Sequence, residues 1–355
     1  MSFLMSKRHR VVAGSLVSLG LAASLVATGF TSAGAAISHG KSAKPLTPVS
    51  VQLLWLPQTQ FAGYYVALDK GFYAQHGLNV TIHPGGPNLT PSSLVASGAA
   101  TFGDGLGPLD VEIGQSKGLK LEEVAILSQT DFQRLVSLKR LHITSPKQLD
   151  GKTVGYFTGP GLYIMQEMVA KAGGNPASVH WVIQGTSLSP ITSGQWAAGS
   201  GDVFNEILTL KEEHVPINVF DPNKYGIGFP YSGIATTQAE VKQHPGIVQA
   251  FVTATLEGWQ WAFKHKGQAV NIVIKNGTGL TAAHQLAQLN AMESLLCSGA
   301  AVKQGMGYIN PASMTGAATF LRHYKLANVP GNVNTMYTNA FVAKTPLSLR
   351  SCSGL

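Results

Sequence analysis

From residue 48 to residue 237 the chain keeps switching between two hydrophobic periods. Short alternating or continuous apolar runs read as strands: VSVQLLW, LNVTIHP, AATFG, LEEVAILSQT, RLVSLKR, GKTVGYF, SVHWVIQ, VPINVFD and YSGIATT. Helix-like patterns separate many of them, as in PSSLVASG, LDVEIGQSK and LYIMQEMVAKAGG. A strand, a helix and a further strand build a crossover in which helices cover a sheet, so the expected class is α/β. After residue 237 the character changes. EVKQHPGIVQAFVTATLEGWQWAFKH, TAAHQLAQLNAMESLLCSG and NPASMTGAATFLRHYKLA are helical patterns with little strand between them. No fixed-period repeat appears. With 355 residues, 45% of them apolar, the chain can bury a large core and is long enough for two lobes.

The first strand–helix–strand unit is the most aromatic. Phe61, Tyr64, Tyr65 and Leu68 fall on one helix face, which by spacing alone is a core pattern. Trp55 differs: it ends the first strand, Pro57 breaks that strand, and Gln58 and Gln60 bring amides to the same place. Gly77 reads as a helix C-cap. Thr90 reads as an N-cap followed by Pro91, and Gly98 as a stop. GDGLGP (103–108) and TGPG (158–161) are loops leading into helices, where backbone N–H groups can donate to a polar or anionic ligand. TSGQWAAGSG reads as a short helix, and DVFNEI as a strand end and turn.

The N-terminus is a targeting segment by composition. Lys7, Arg8 and Arg10 form a basic start, VVAGSLVSLGLAASLVATGF an apolar middle, and TSAGAA a small-residue cleavage pattern. Residues 1–35 are expected to be a signal peptide and 36–47 a polar linker. No Cys lies near the cleavage site, so no lipid anchor is expected, and the mature chain is periplasmic or secreted. The formal charge of +8 falls to +5 without those three residues (22 basic against 17 acidic). The remaining basic residues are scattered, which argues against a nucleic-acid partner. Cys297 and Cys352 are an even pair in an exported chain, which points to a disulfide; two unpaired thiols are the other reading. The histidines show no H-x-x-x-H or H-E-x-x-H spacing, so no metal site is expected.

Motifs for catalysis are weak. GQSKG (114–118) matches G-x-S-x-G, but a helix pattern precedes Ser116, where a nucleophile elbow needs a strand. No Walker A or intact G-x-G-x-x-G is present. Asn205 and Glu206 sit at a strand end. A lone Glu there is ordinarily solvated, but an amide–carboxylate pair at the edge of a sheet can instead read the N–H groups of a heterocycle.

LLWLPQTQFAGYYVALDKGFYAQHGLNVTIHPGGP resembles the opening motif of the substrate-binding proteins of ABC transporters, in the branch that takes thiamine pyrimidine precursors, riboflavin and related compounds. LVASGAATFG, SPKQLDGKTVGYFTGPG, GSGDVFNEI and YGIGFPYSGIATT are similar to later segments of that family. The likeness covers roughly residues 48–240 well and the helical C-terminus loosely. The cysteine-rich motif of the eukaryotic pyrimidine synthases of the same fold is missing, which argues against an enzyme.

The resemblance implies a type II periplasmic-binding-protein fold, with two α/β lobes and a ligand cleft between them. Lobe 1 is expected at 48–132 plus 234–355, with the helical C-terminal part packed on it, and lobe 2 at 133–233. It implies a monomer without cofactor that closes around a small heteroaromatic nutrient and docks on a membrane permease. Trp55, with Tyr64 or Phe61, would stack the ring. Gln58, Asp104, Gln129, Asp131, Asn205 and Glu206 would hydrogen-bond it. Gly159 and Gly161 would let backbone approach, and Tyr163 and Tyr225 would add contacts. Two alternatives remain open at this point: a binder of organosulfonate, taurine or nitrate, and an enzyme related to the pyrimidine synthases.

Overall fold

The parallel core expected from the alternation is a five-stranded sheet. In the computed structural model, which describes residues 45–87 and 89–355, strands β1 (Thr47–Gln52), β2 (Leu78–His83) and β3 (Phe102–Asp104) run parallel in the order β2-β1-β3. The signal segment and most of the linker expected above lie outside the described residues. β4 (Leu121–Ser128) leaves this sheet into β5 (Gln133–Leu138), β6 (Thr153–Tyr156), β7 (His180–Ile183), β8 (Gly199–Asp202) and β9 (Ile217–Phe220). β8-β5-β9 is antiparallel and β6-β7 parallel; a bridge between Val154 and Ala198 joins the two small sheets. β10 (Tyr231–Thr237) then returns and inserts antiparallel between β3 and β4.

Helices cover these sheets in chain order. α1 (Ala62–Asp69), α2 (Phe72–Gln75), α3 (Pro91–Ala96) and α4 (Pro108–Ser116) accompany the large sheet. α5 (Gly161–Lys171), α6 (Ser189–Thr192) and α7 (Glu206–Glu212) accompany the small ones. The last part of the chain is helical, as expected: α8 (Gln238–Gln243), α9 (Pro245–Lys264), α10 (Lys266–Ile274), α11 (Ala282–Leu296), α12 (Ala301–Gln304), α13 (Pro311–His323) and α14 (Ala340–Lys344).

Two local expectations need correction. The first strand stops at Gln52, three residues before Trp55. There the Gln52 side-chain amide donates to the carbonyls of Leu53, His83 and Pro84 at 3.1, 3.4 and 3.0 Å, and the chain turns out of the sheet. TSGQWAAGSG is not a helix: α6 ends at Thr192, and Gly199–Asp202 is β8. The small residues are there for packing, since a Cβ on Gly199 would lie 2.4 Å from Ile191 Cδ1 and 2.7 Å from Gln184 Oε1. DVFNEI is, as expected, a strand end and a turn: Asp202 closes β8, residues 203–205 turn, and α7 starts at Glu206.

The core is organised by α9. Phe251 stacks on Phe102 at 3.9 Å and on Tyr73 at 5.4 Å between ring centroids, and the Tyr73 hydroxyl pairs with Thr255 at 2.8 Å. α1 crosses α9 backbone to backbone. A Cβ on Gly258 would lie 2.1 Å from the carbonyl oxygen of Gly63, and a Cβ on Gly63 would lie 2.3 Å from the Trp259 ring. Trp259 is fully buried there. Cys297, just beyond α11, is disulfide-bonded to Cys352, so the tail is tied to the end of that helix across 55 residues.

Because backbone cannot move aside as a flexible side chain can, Gly258→Ala is expected to destabilise the protein by about 3 kcal/mol or more. Gly246→Ala, on the same helix with open space around it, should shift the thermal midpoint by less than about 2 °C. Thermal unfolding of the two variants side by side checks this; equal midpoints would show that the crossing tolerates a methyl group.

Candidate functional site

The parallel strands deliver their C-terminal ends to one edge, and a carboxylate stands there. Asp104, the last residue of β3, is fully buried; its Oδ1 accepts the Tyr64 hydroxyl at 2.7 Å and its Oδ2 has no partner. Burial pushes its carboxyl up to about 7, against the pull of the Tyr64 hydroxyl and the Gly105 N–H. Leu54 packs on Gly105, so the residues after β1 lie beside the end of β3. At the start of α4 the Gly107 N–H donates to Asp110 Oδ2 at 3.2 Å. That helix start is therefore occupied by its own carboxylate and is not free for an anion, contrary to the reading of GDGLGP. Burial pushes Asp110 up to about 7.

β10 brings Tyr231 onto this edge. Tyr231 pairs with Ser128 of β4, and Gly107 abuts the Tyr231 backbone. From the other sheets come Asp131, in the segment between β4 and β5, Asp202 at the end of β8, and Glu206 at the start of α7. Asp131 Oδ1 accepts the Gln133 N–H at 2.8 Å. Glu206 Oε2 accepts the Asp202 N–H at 2.9 Å, Glu206 Oε1 accepts Asn205 Nδ2 at 2.9 Å, and Asp202 Oδ1 has no partner. Burial raises Asp131 to about 7 and raises Asp202 and Glu206; the charge on Glu206 raises Asp202 further. The Tyr231 hydroxyl is raised first by the charge of Asp110, then by burial and by Asp202, Asp131 and Asp104. Four carboxyl groups thus act on one phenol, with Glu206 behind Asp202, and close carboxylates cannot all ionise at neutral pH. Arg134 does not neutralise them freely: its guanidinium is held by the Asp131 and Gln133 carbonyls and by Asp221.

Aromatic faces complete the junction. Phe132 lies edge-on to Phe204 at 4.9 Å and to Tyr231 at 5.2 Å. Ser232, the next residue of β10, is buried in the left-handed region with φ 61°, and its hydroxyl has no partner. Such backbone strain in a non-glycine strand residue is uncommon and concentrates at functional sites.

The residues expected from sequence divide into those the junction uses and those it does not. Asp104, Asp131, Asn205 and Glu206 converge, whereas Tyr64, fully buried in the core, reaches them only through its hydroxyl on Asp104 and is not a wall of the cleft. Trp55 is half-buried against the core, beside the end of β3. Phe61 has no exposed surface and belongs to the core, so it is not a wall of the cleft. Gln58 is consumed by an amide cluster: it donates to Gln60 at 2.7 Å and accepts from Gln288 at 3.1 Å. Gln129 is turned away, donating to the carbonyls of Ile126 and Tyr308. Tyr225 packs with the hydrophobic cluster that includes Ile164 and Phe220. Gly161 carries hydrogen where Gln133 Oε1 approaches to 2.5 Å of a would-be Cβ. Ser116 donates to the Ile113 carbonyl at the end of α4, with no elbow around it. Sequence reasoning missed Asp110, Asp202, Phe132, Phe204 and Tyr231. The last opens YSGIATT and was the one with a signal, as an aromatic at a crossing between lobes.

A groove of about 400 Å³ runs outward from Asp110 between α3 and α4 on one side and the start of α5 on the other. Gly159 and Tyr163 line it from the α5 side.

Residues 58–269 match the family described as NMT1/THI5 like. The chain is 33% identical over 239 residues to the formylaminopyrimidine-binding protein of Halalkalibacterium halodurans, covering 65% of this chain and 71% of that one. It is 25% identical over 352 residues to the riboflavin-binding protein RibY of Chloroflexus aurantiacus, covering 95% and 99%. Its fold is similar to the periplasmic aliphatic sulphonate binding protein SsuA of Escherichia coli, with a TM-score of 0.66 and 11% identity over 81% of this chain and 91% of that one.

Because these acids are raised on folding, the folded chain holds protons that the unfolded chain releases. That stability is complete below about pH 4 and is lost as pH rises through about 7. The thermal midpoint is expected to fall between pH 5 and pH 8, and Asp202→Asn should flatten the slope by raising the midpoint at pH 8. A midpoint that rises over this range in the wild type would contradict the assignment.

Proposed function

The chain belongs to the NMT1/THI5 like family, and on that footing we propose that it is an extracytoplasmic solute-binding protein for a small heteroaromatic nutrient, of the thiamine-pyrimidine or flavin kind. The observation that carries this reading is the junction itself. Carboxyl groups with unpartnered oxygens (Asp104 Oδ2 and Asp202 Oδ1) stand beside Tyr231 and the Phe132–Phe204 pair. Such acids accept N–H groups when ionised and donate to ring nitrogens when protonated. A sulfonate or nitrate would instead meet five carboxyls, with the nearest guanidinium already engaged. Site groups that would be left unpaired reject analogues lacking the matching N–H.

In this reading residues 48–132 with 234–355 form one lobe and 133–233 the other, and the lobes close around the ligand. Tyr231, Asp110, Asp202, Asn205 and Glu206 contact it directly, and Trp55 caps the ring from the segment that follows the first strand. The closed monomer delivers its ligand to an ABC permease, with no cofactor and no turnover.

The test is thermal shift and tryptophan fluorescence of the mature chain against aminopyrimidines, riboflavin, thiamine, taurine, alkanesulfonates and nitrate. A bound ligand raises the midpoint by an amount that grows with its concentration over Kd. A heterocycle is expected to bind and be recovered unchanged. Trp55→Ala should weaken binding about tenfold, as expected for loss of a stacking face, and Asp202→Ala at least as much. Saturable binding of an anion alone would move the function to the sulfonate and nitrate binders, and product formation would make the chain an enzyme.

A further inference from the structure

The buried face of α11 runs Gln285, Gln288, Leu289, Met292, Leu295 and Leu296. The spacing is helical, but two amides stand where the pattern calls for apolar residues. A buried amide without partners is destabilising, so a glutamine on such a face must have its bonds made. Gln288 has no exposed surface and uses its whole side chain. Its Oε1 accepts the Thr59 hydroxyl at 2.8 Å and the Gln60 N–H at 3.2 Å, and its Nε2 donates to Gln58 Oε1 at 3.1 Å and to the Phe204 carbonyl at 3.3 Å. Two accepted and two donated bonds are the full capacity of the group. The Gln60 N–H can only donate and the Phe204 carbonyl can only accept, so the amide has one orientation. Gln285, one turn earlier, is buried too, but the bond its side chain makes is to the Thr59 N–H at 2.7 Å.

Gln288 joins two segments that are far apart in the chain. One, residues 58–60, follows closely on Trp55. The other is the turn at residues 203–205 that leads into Glu206, whose carboxylate holds the Asp202 N–H at 2.9 Å. On that turn the Phe204 ring lies edge-on to Phe132, which lies edge-on to Tyr231. α11 meets the same part of the chain again through His284, 2.8 Å from Glu212 at the end of α7. Resting on the heterocycle reading above, we infer that Gln288 is a positioning residue of the site: it sets the Phe204–Glu206 turn against the segment after Trp55, so that one ligand meets both sides together. Gln288 touches no ligand itself. Without it each side keeps its own contacts, and the register between them loosens. A complex held from two aligned sides dissociates slowly, so the loss falls on the dissociation rate rather than on association.

The probes are riboflavin and 4-amino-5-hydroxymethyl-2-methylpyrimidine, each titrated onto the full mature chain by calorimetry, with rates from stopped-flow tryptophan fluorescence. Gln288→Met keeps the length of the side chain and removes its bonds. It should weaken any probe that the wild type binds by about fivefold or more, through faster dissociation, which is the low end of coupling between linked sites. Gln285→Met is the structural control: it should lower the thermal midpoint comparably but change Kd by less than about twofold. A merely structural role would also leave the coupling between the two sides untouched. In the wild type, Trp55→Ala and Glu206→Gln combined should weaken binding by less than the product of their separate factors; in Gln288→Met the factors should multiply. If Gln288→Met does not fold, Gln288→Asn, whose amide is one methylene short of its partners, decides. An unchanged Kd in the Gln288 variant, an equal loss in Gln285→Met, a loss confined to association, or the same coupling with and without Gln288 overturns the inference and leaves the heterocycle reading in place. No binding of either probe by the wild type overturns both.

Discussion

The structure depends on one strand being able to lie where a side chain would not fit. β10 must pass antiparallel between β3 and β4, and at Gly233 a Cβ would lie 2.0 Å from Glu123 Oε1 and 2.3 Å from the Leu106 carbonyl. A glycine there lets the crossing strand lie flat over a fully buried glutamate whose carboxyl oxygens have no partner. Burial and the neighbouring Asp110 and Glu112 keep Glu123 well above the usual carboxylate range, which favours its neutral form in the core. Once β10 is seated, its first residue is fixed. Tyr231 comes to the ends of the parallel strands, and the left-handed Ser232 carries the chain from that position into the ladder.

The junction concentrates negative charge because both halves of the chain end strands there on acids. Asp104 arrives from a parallel strand and Asp202 from an antiparallel one, and neither finds a basic partner. Burial disfavours the ionised form of each, so Asp104 is pushed up to about 7 and Asp202 is raised as well. Carboxyls that take up protons near neutral pH form a mixed set of donors and acceptors. Such a set suits a ring with alternating N–H groups and bare nitrogens. An oxyanion offers acceptors only. The overall positive charge of the chain says nothing about this, because the basic residues are spread over its outside and the local field is set by the few groups within reach of Tyr231.

Much of the fold was legible because it is written in local periods. The strands of the large sheet and the C-terminal helices follow directly from apolar spacing, and the family likeness added the two-lobed plan. What failed was local pattern used where tertiary neighbours decide. GSGD carries no strand signal, since its glycines answer to Ile191 and Gln184 from other segments. Gln58 and Gln129 look like site amides from their places beside strand ends, yet distant groups at Gln288 and Tyr308 claim them. Phe61 and Tyr64 are indistinguishable by helical spacing and both are fully buried; only the position of Asp104, forty residues on, ties one of them to the end of β3. Asp110 and Asp202 were hidden for the opposite reason. Acids in a helix's first turn and at a strand end have ordinary local explanations, and their importance appears only when β10 brings a phenol between them.

Polar contacts join the helices of the large sheet to those of the small ones, beside the shared hydrophobic clusters that also cross. Gln288 of α11 donates to the Phe204 carbonyl at 3.3 Å, His284 of the same helix meets Glu212 of α7 at 2.8 Å, and Tyr324, just after α13, donates to Glu167 of α5. Each is worth about 0.5–1.5 kcal/mol net, and the exposed ones less. α11 itself is anchored by the Cys297–Cys352 bond and by the core around Trp259. With Asp104 Oδ2 and Asp202 Oδ1 unpartnered, the junction leaves hydrogen-bonding capacity unused, which is what a group bearing matching N–H donors would satisfy.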